Sequence, residues 1–251
     1  MRGELFDSTI PFGEPELFKA SAYGRYLEDL RRASPPGGAP SGLAQLSPSL
    51  QADLRRIDRR DGSSDAAEVV AACIRHATRV TIHLKCADRV VPMTIFAQER
   101  LFHCPIDLPE LIERHLSQMC VLNVEPATLR PPGDPDLVLV GESHRYHPIA
   151  PFLWELAMRG PRFELLPEIA GPAIYRVSPG LDDTALPASG VLRSTIERLR
   201  HQSMSLNGLA GWPAFDRERA SRLLNALYLQ AGLIVSRSHP DAVRESWFGG
   251  H

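Results

Sequence analysis

The chain has 251 residues, 43% of them hydrophobic and 23% charged, with a formal net charge of −2. That length allows one large domain or two small ones around an ordinary core, and the near-neutral balance excludes a global attraction to nucleic acid or acidic membranes. No apolar run approaches the roughly 20 residues of a membrane span, and the acids of Met1-Arg-Gly-Glu-Leu-Phe-Asp do not suit a signal peptide, so the expected setting is the cytoplasm, away from membranes.

Basic residues are almost all arginine, with Lys19 and Lys85 the exceptions. With abundant Ala, Gly and Pro, this is the composition of a GC-rich bacterial genome. Residues 1–64 read as a poorly organised arm: 16–32 has a rough apolar stripe (Leu17, Tyr23, Tyr26, Leu27, Leu30), 34–42 is a Pro/Gly linker, and 48–59 predicts a second helix.

An α+β body of short antiparallel strands with flanking helices is expected over 65–187. Asp65 and Glu68 resemble a capping box before the apolar face Val69, Val70, Cys73, Ile74 and Ala77. Val80, Ile82, Leu84 and Cys86 alternate with polar residues as a half-buried strand. A turn at 87–89 leads into a second strand over 90–96, and 101–104 gives a third. Asp107 with Pro109 opens a helix, and 120–124 reads as another strand. The Pro-rich segment 126–136 is the best internal boundary. Beyond it come a short strand at 137–140, a helix over 148–159 ended by Gly160, and a hairpin of 163–169 with 173–177 around Gly171-Pro172. The helix–strand–strand order of 66–104 recurs at 149–178, so duplication is one reading.

The last part, 188–251, carries the most specific pattern. A helix over 190–200 is followed by Ser205 as N-cap of a short helix, the turn Gly211-Trp-Pro-Ala-Phe215, and Asp216 as N-cap of a longer helix. Ala220, Leu223, Leu224, Leu227 and Tyr228 line the inward face of that longer helix. Gly232 stops it, and Leu233, Ile234 and Val235 enter a strand whose partner is expected from 242–248. These elements resemble a winged helix over about 188–248, and helix, hairpin and winged helix in that order resemble the bacterial PATAN-type regulatory modules, which couple signalling proteins to partners.

The resemblance implies recognition rather than catalysis. The exposed candidates on the longer helix are Arg217, Arg219, Arg222 and Asn225, and Trp247 near the C-terminus is a candidate docking aromatic. Seven arginines against three acids give 188–237 a net charge of +4, leaving −6 for the rest, which predicts a basic face. The leading expectation is a cytoplasmic regulatory or adaptor protein without enzymatic activity that binds a protein partner. The alternative is a transcription regulator placing the same helix in the DNA major groove.

Other constellations read as structural. Glu142, His144 and His147 lie in a loop with no further ligand at a fixed offset, so no metal is expected. His103 and Cys104 are adjacent on a strand and face opposite ways, which places Cys104 in the core. The four cysteines form no CxxC pair, and no glycine-rich phosphate loop occurs, so no cofactor is expected.

Overall fold

The computed structural model describes residues 17–33, 45–61, 64–182, 184 and 186–237 of the chain. Two helices, α1 (Ala20–Ala33) and α2 (Pro48–Asp61), come first. Asp65 ends the short strand β1 (Ser64–Asp65), and its carboxylate accepts the Ala67 and Glu68 amides at the head of α3 (Ala66–Arg75), the capping role its position predicts. Strands β2 (Val80–Cys86), β3 (Arg89–Phe96) and β4 (Leu101–His103) follow. A helical stretch then begins as α4 (Leu108–Glu110), widens into a π turn and tightens into a 3-10 turn before β5 (Cys120–Pro126). Next come β6 (Tyr146–Pro148) and α5 (Ile149–Arg159). The strands make a six-stranded antiparallel sheet of order β1-β5-β2-β3-β4-β6, so the class is α+β.

The period-2 pattern decides which sheet face is dry. Val80, Ile82 and Leu84 of β2 stand opposite Ile95, Met93 and Val91 of β3, and all six are buried. The other face mixes Thr81, His83 and Lys85 with Val90 and Phe96 and is partly covered. There Thr81 and Thr94 share a hydroxyl hydrogen bond of 3.0 Å, and α1 lays Tyr23 flat on His83 with ring centroids 5.0 Å apart.

The C-terminal part is built from β7 (Ile174–Val177), α6 (Gly190–His201), β8 (Met204–Ser205), α7 (Leu206–Ala210), α8 (Arg217–Leu229) and β9 (Leu233–Ser236). Ser205 and Asp216 cap α7 and α8 by accepting the Gly208 and Arg219 amides. The three strands form a second antiparallel sheet with β7 in the middle, between β8 and β9. β7 lies before residue 188 in sequence, yet pairs only with strands after it. Helix α5 packs along α8, and one continuous hydrophobic core runs from α2 and the main sheet through Phe152, Leu153 and Leu156 to Leu223, Leu224 and Leu227.

Several local expectations change. Residues 137–139 are a 3-10 turn rather than a strand. Residues 163–169 form no strand, so the expected hairpin with 173–177 is absent and β7 pairs elsewhere. The duplication reading falls with that hairpin. After α8 the left-handed residue is Ala231, at φ 57, and not Gly232. Gly232 packs closely under Leu181, whose side chain would have to shift for a Cβ there, 2.6 Å from its Cδ1. The strand expected from 242–248 lies outside the described residues.

Candidate interaction face

Helix α8 decides what the basic residues can do. From Ala220 to Leu229 it has no exposed residue, because α5 covers one side while α7 and β9 pack on others. Its exposed residues are those of the first turn, Arg217 to Arg219, with Arg222 and Tyr228 only partly open.

Asn225, expected on an exposed face, is therefore corrected to a buried bridge with 1% exposure. Its Oδ1 accepts the Leu166 amide at 2.9 Å, and its Nδ2 donates to the Glu164 carbonyl at 2.8 Å. Arg222 is likewise turned inward. Its Nη1 donates to the carbonyls of Ala157, Met158 and Gly160 at 3.4, 3.3 and 2.9 Å, while Nε meets Glu218 at 2.9 Å. A cation on the last carbonyls of α5 satisfies orphan acceptors and complements that helix end. Trp247 lies outside the described residues.

The same pattern holds across the arginines of this unit. Arg193, Arg200 and Arg219 donate to the carbonyls of Ala188, Leu181 and Ala214, and Arg237 to those of Glu168 and Ala170. Arg198 sits 4.0 Å over the Trp212 ring. The +4 excess thus stands largely on backbone oxygens, as Asn225, Arg222 and Arg237 stitch the end of α5 and the irregular segment 160–170 to α8 and β9. An irregular buried backbone needs such partners, since no ladder supplies them. Arg162 adds its own bonds to the Glu164 and Leu165 carbonyls and reaches Asp65 at 2.8 Å, tying the segment to α3.

Arg217 differs. Its guanidinium donates to Asn207 Oδ1 at 2.6 Å, a neutral acceptor, and among the described residues it has no carboxylate or backbone-carbonyl partner. It stands on a groove of about 640 Å³ between the stitched segment and the first turns of α7 and α8. Phe163, Leu165, Ala170, Pro172 and Leu206 supply apolar walls, with Phe163 56% exposed. Gly171, at φ 92, makes the turn that sets one end. The sequence hinted at this groove through Gly171-Pro172 and Ser205, but nothing local joins segments that far apart in the chain.

The residues weighed for catalysis are poorly disposed to it. Cys104 is fully buried, and burial pushes its thiol up to about 11, away from the thiolate a nucleophile needs. His103 is half-buried and pushed down to about 4 by burial, with Arg145 and His147 adding to it. His83, the residue across the sheet that could serve Cys104 as a base, is also pushed down to about 4 by burial, and its Nδ1 has no hydrogen-bond partner. His144 is exposed beside Glu142 at 3.6 Å, while His147 tilts on Phe102. Among the described residues no three His, Cys, Asp or Glu side chains converge as a metal-binding group, and no helix is long and apolar enough to cross a membrane.

Comparison with protein-family models, curated proteins and solved structures gives no match to this chain.

Proposed function

We propose that the chain is a bacterial, cytoplasmic regulatory or adaptor protein without catalytic activity, which recognises a protein partner through its winged-helix-like C-terminal unit. The winged-helix likeness rests on the order α6, β8, α7, α8, β9 with caps at Ser205 and Asp216. The observation that carries the preference for protein over DNA is the burial of α8 from Ala220 onward. A recognition helix must offer an exposed face to enter a major groove, and here α5 occupies that place. Most of the arginines that would release counterions, Arg193, Arg200, Arg219, Arg222 and Arg237, are already held by backbone carbonyls. The Phe163–Arg217 groove stays open to solvent, with apolar and polar side chains both lining it, the combination interfaces use.

Photo-crosslinking in cells tests this reading. A benzophenone amino acid replaces Phe163 in one version of the full chain and Val138 in another. Val138 is 92% exposed beside Leu137 and marks the rival apolar surface on the body. The expected result is a protein adduct from position 163 and none from 138. An adduct from 138 alone, or a nucleic-acid adduct from 163, overturns the proposal.

A further inference from the structure

We infer that the groove beside α8 takes a short extended peptide segment of the partner carrying an acidic residue next to an apolar one. The inference rests on the protein-recognition reading above and names the chemistry of the same site.

Charge complementarity selects the occupant. The groove is lined by one cation, Arg217, and two acids, Glu218 and Glu164. Glu218 is bonded to Arg222 Nε at 2.9 Å, and Arg222 is itself fixed on the α5 carbonyls, so that carboxylate is compensated. Glu164 is exposed, with its carbonyl, not its carboxylate, serving the stitched segment. Arg217 is the cation left over. Its one bond, to the Asn207 amide oxygen, orients the guanidinium without neutralising it, and leaves donors for a bidentate carboxylate contact.

Shape and lining complete the argument. A hollow of about 640 Å³ falls in the range that holds a small ligand or a few side chains. Phe163, Leu165, Pro172 and Leu206 offer an apolar side chain a place to leave water. The walls are also fixed in advance. Asn225 and Arg162 hold the backbone at Glu164 and Leu165, Arg237 holds it at Ala170, and Ser205 and Asp216 cap the two helices. A peptide binding there orders itself but not its receptor, which lowers the cost of association. Glu164, which also lines the groove, disfavours a second acid in the segment, so the segment carries one carboxylate for Arg217.

The test is a selection of phage-displayed random eight-residue peptides on the full-length protein, run in parallel on the Arg217→Glu protein. Enriched sequences are expected to pair Asp or Glu with Leu, Ile, Phe or Trp. A selected peptide remade synthetically should lose about tenfold or more in affinity for Arg217→Glu, roughly one good charged contact. It should bind Glu164→Gln as well or better, with the melting temperature of both variants unchanged. Enrichment of Lys- or Arg-containing peptides, equal binding to Arg217→Glu, or no enrichment at all overturns the inference. If position 163 still crosslinks to a protein while the library returns basic sequences, protein recognition stands and the acidic-segment inference alone falls.

Discussion

Replacing Asn225 by leucine separates a buried bridge from a binding residue. Leucine has nearly the same reach and keeps the space filled, so the change isolates two hydrogen bonds. The Leu166 amide loses its acceptor in a fully buried place, while the Glu164 carbonyl keeps Arg162 Nε as a second donor at 3.0 Å. An orphaned buried donor costs about 1–3 kcal/mol and a partly satisfied acceptor less, so the loss should total about 2–4 kcal/mol. For a chain of this size each kcal/mol lowers the melting temperature by about 2–4 °C, which predicts a fall of roughly 5–15 °C. Urea unfolding of both proteins reads the same quantity as a shift in midpoint at unchanged slope. A loss below about 0.5 kcal/mol, the range of surface substitutions, would refute the argument and return Asn225 to the exposed face.

Two further outcomes follow from the same contacts. Arg222→Ala should destabilise by about 2–3 kcal/mol, because it strips charge-assisted bonds from three carbonyls of the α5 end. Arg217→Ala should stay within about 0.5 kcal/mol of the parent, and equal losses in thermal unfolding would contradict the distinction drawn between them. His83 and His103 are each held near 4 by burial, below the ordinary 6.5. As pH falls from about 6.5 towards 4, the unfolded chain takes up protons that the folded imidazoles refuse, so stability drops through that window by at most about 3 kcal/mol per ring. Melting temperatures of His83→Gln and His103→Gln should therefore fall less steeply with acid than the parent's, and parallel curves would refute the assignment.

The legible parts of the fold are those fixed by neighbours in sequence. Asp65, Ser205 and Asp216 announce their helices because a capping side chain reaches only two or three residues ahead. Val80 to Cys86 announce a strand because apolar and polar side chains alternate along it. The pairing of β7 with β8 and β9 was not legible, since Ile174 and Ser236 are brought together by the whole α6–α8 excursion. Asn225 was misplaced because one inward stripe was assumed for α8. Ala220, Leu223, Leu224, Ala226, Leu227 and Leu229 spread over more than half the circumference at roughly 100° per residue, a sign of a helix covered on more than one side. The charge of the unit was legible, but not its use. Whether Arg222 and Arg237 face water or a carbonyl depends on the end of α5 and on the irregular segment 160–170, which carries no periodic signal.

The account turns on arginines that are internally engaged and a helix that is covered. Fluorescence anisotropy of random duplex DNA with the full-length protein across a salt series tests this most directly. A DNA reader with 6–10 phosphate contacts would lose roughly 10³–10⁵ in affinity between 50 and 200 mM salt. The prediction here is no binding at micromolar protein even at the lowest salt. Salt-sensitive micromolar binding, abolished by changing Arg217 and Arg219 to alanine, would contradict it and make the DNA-regulator reading the correct one.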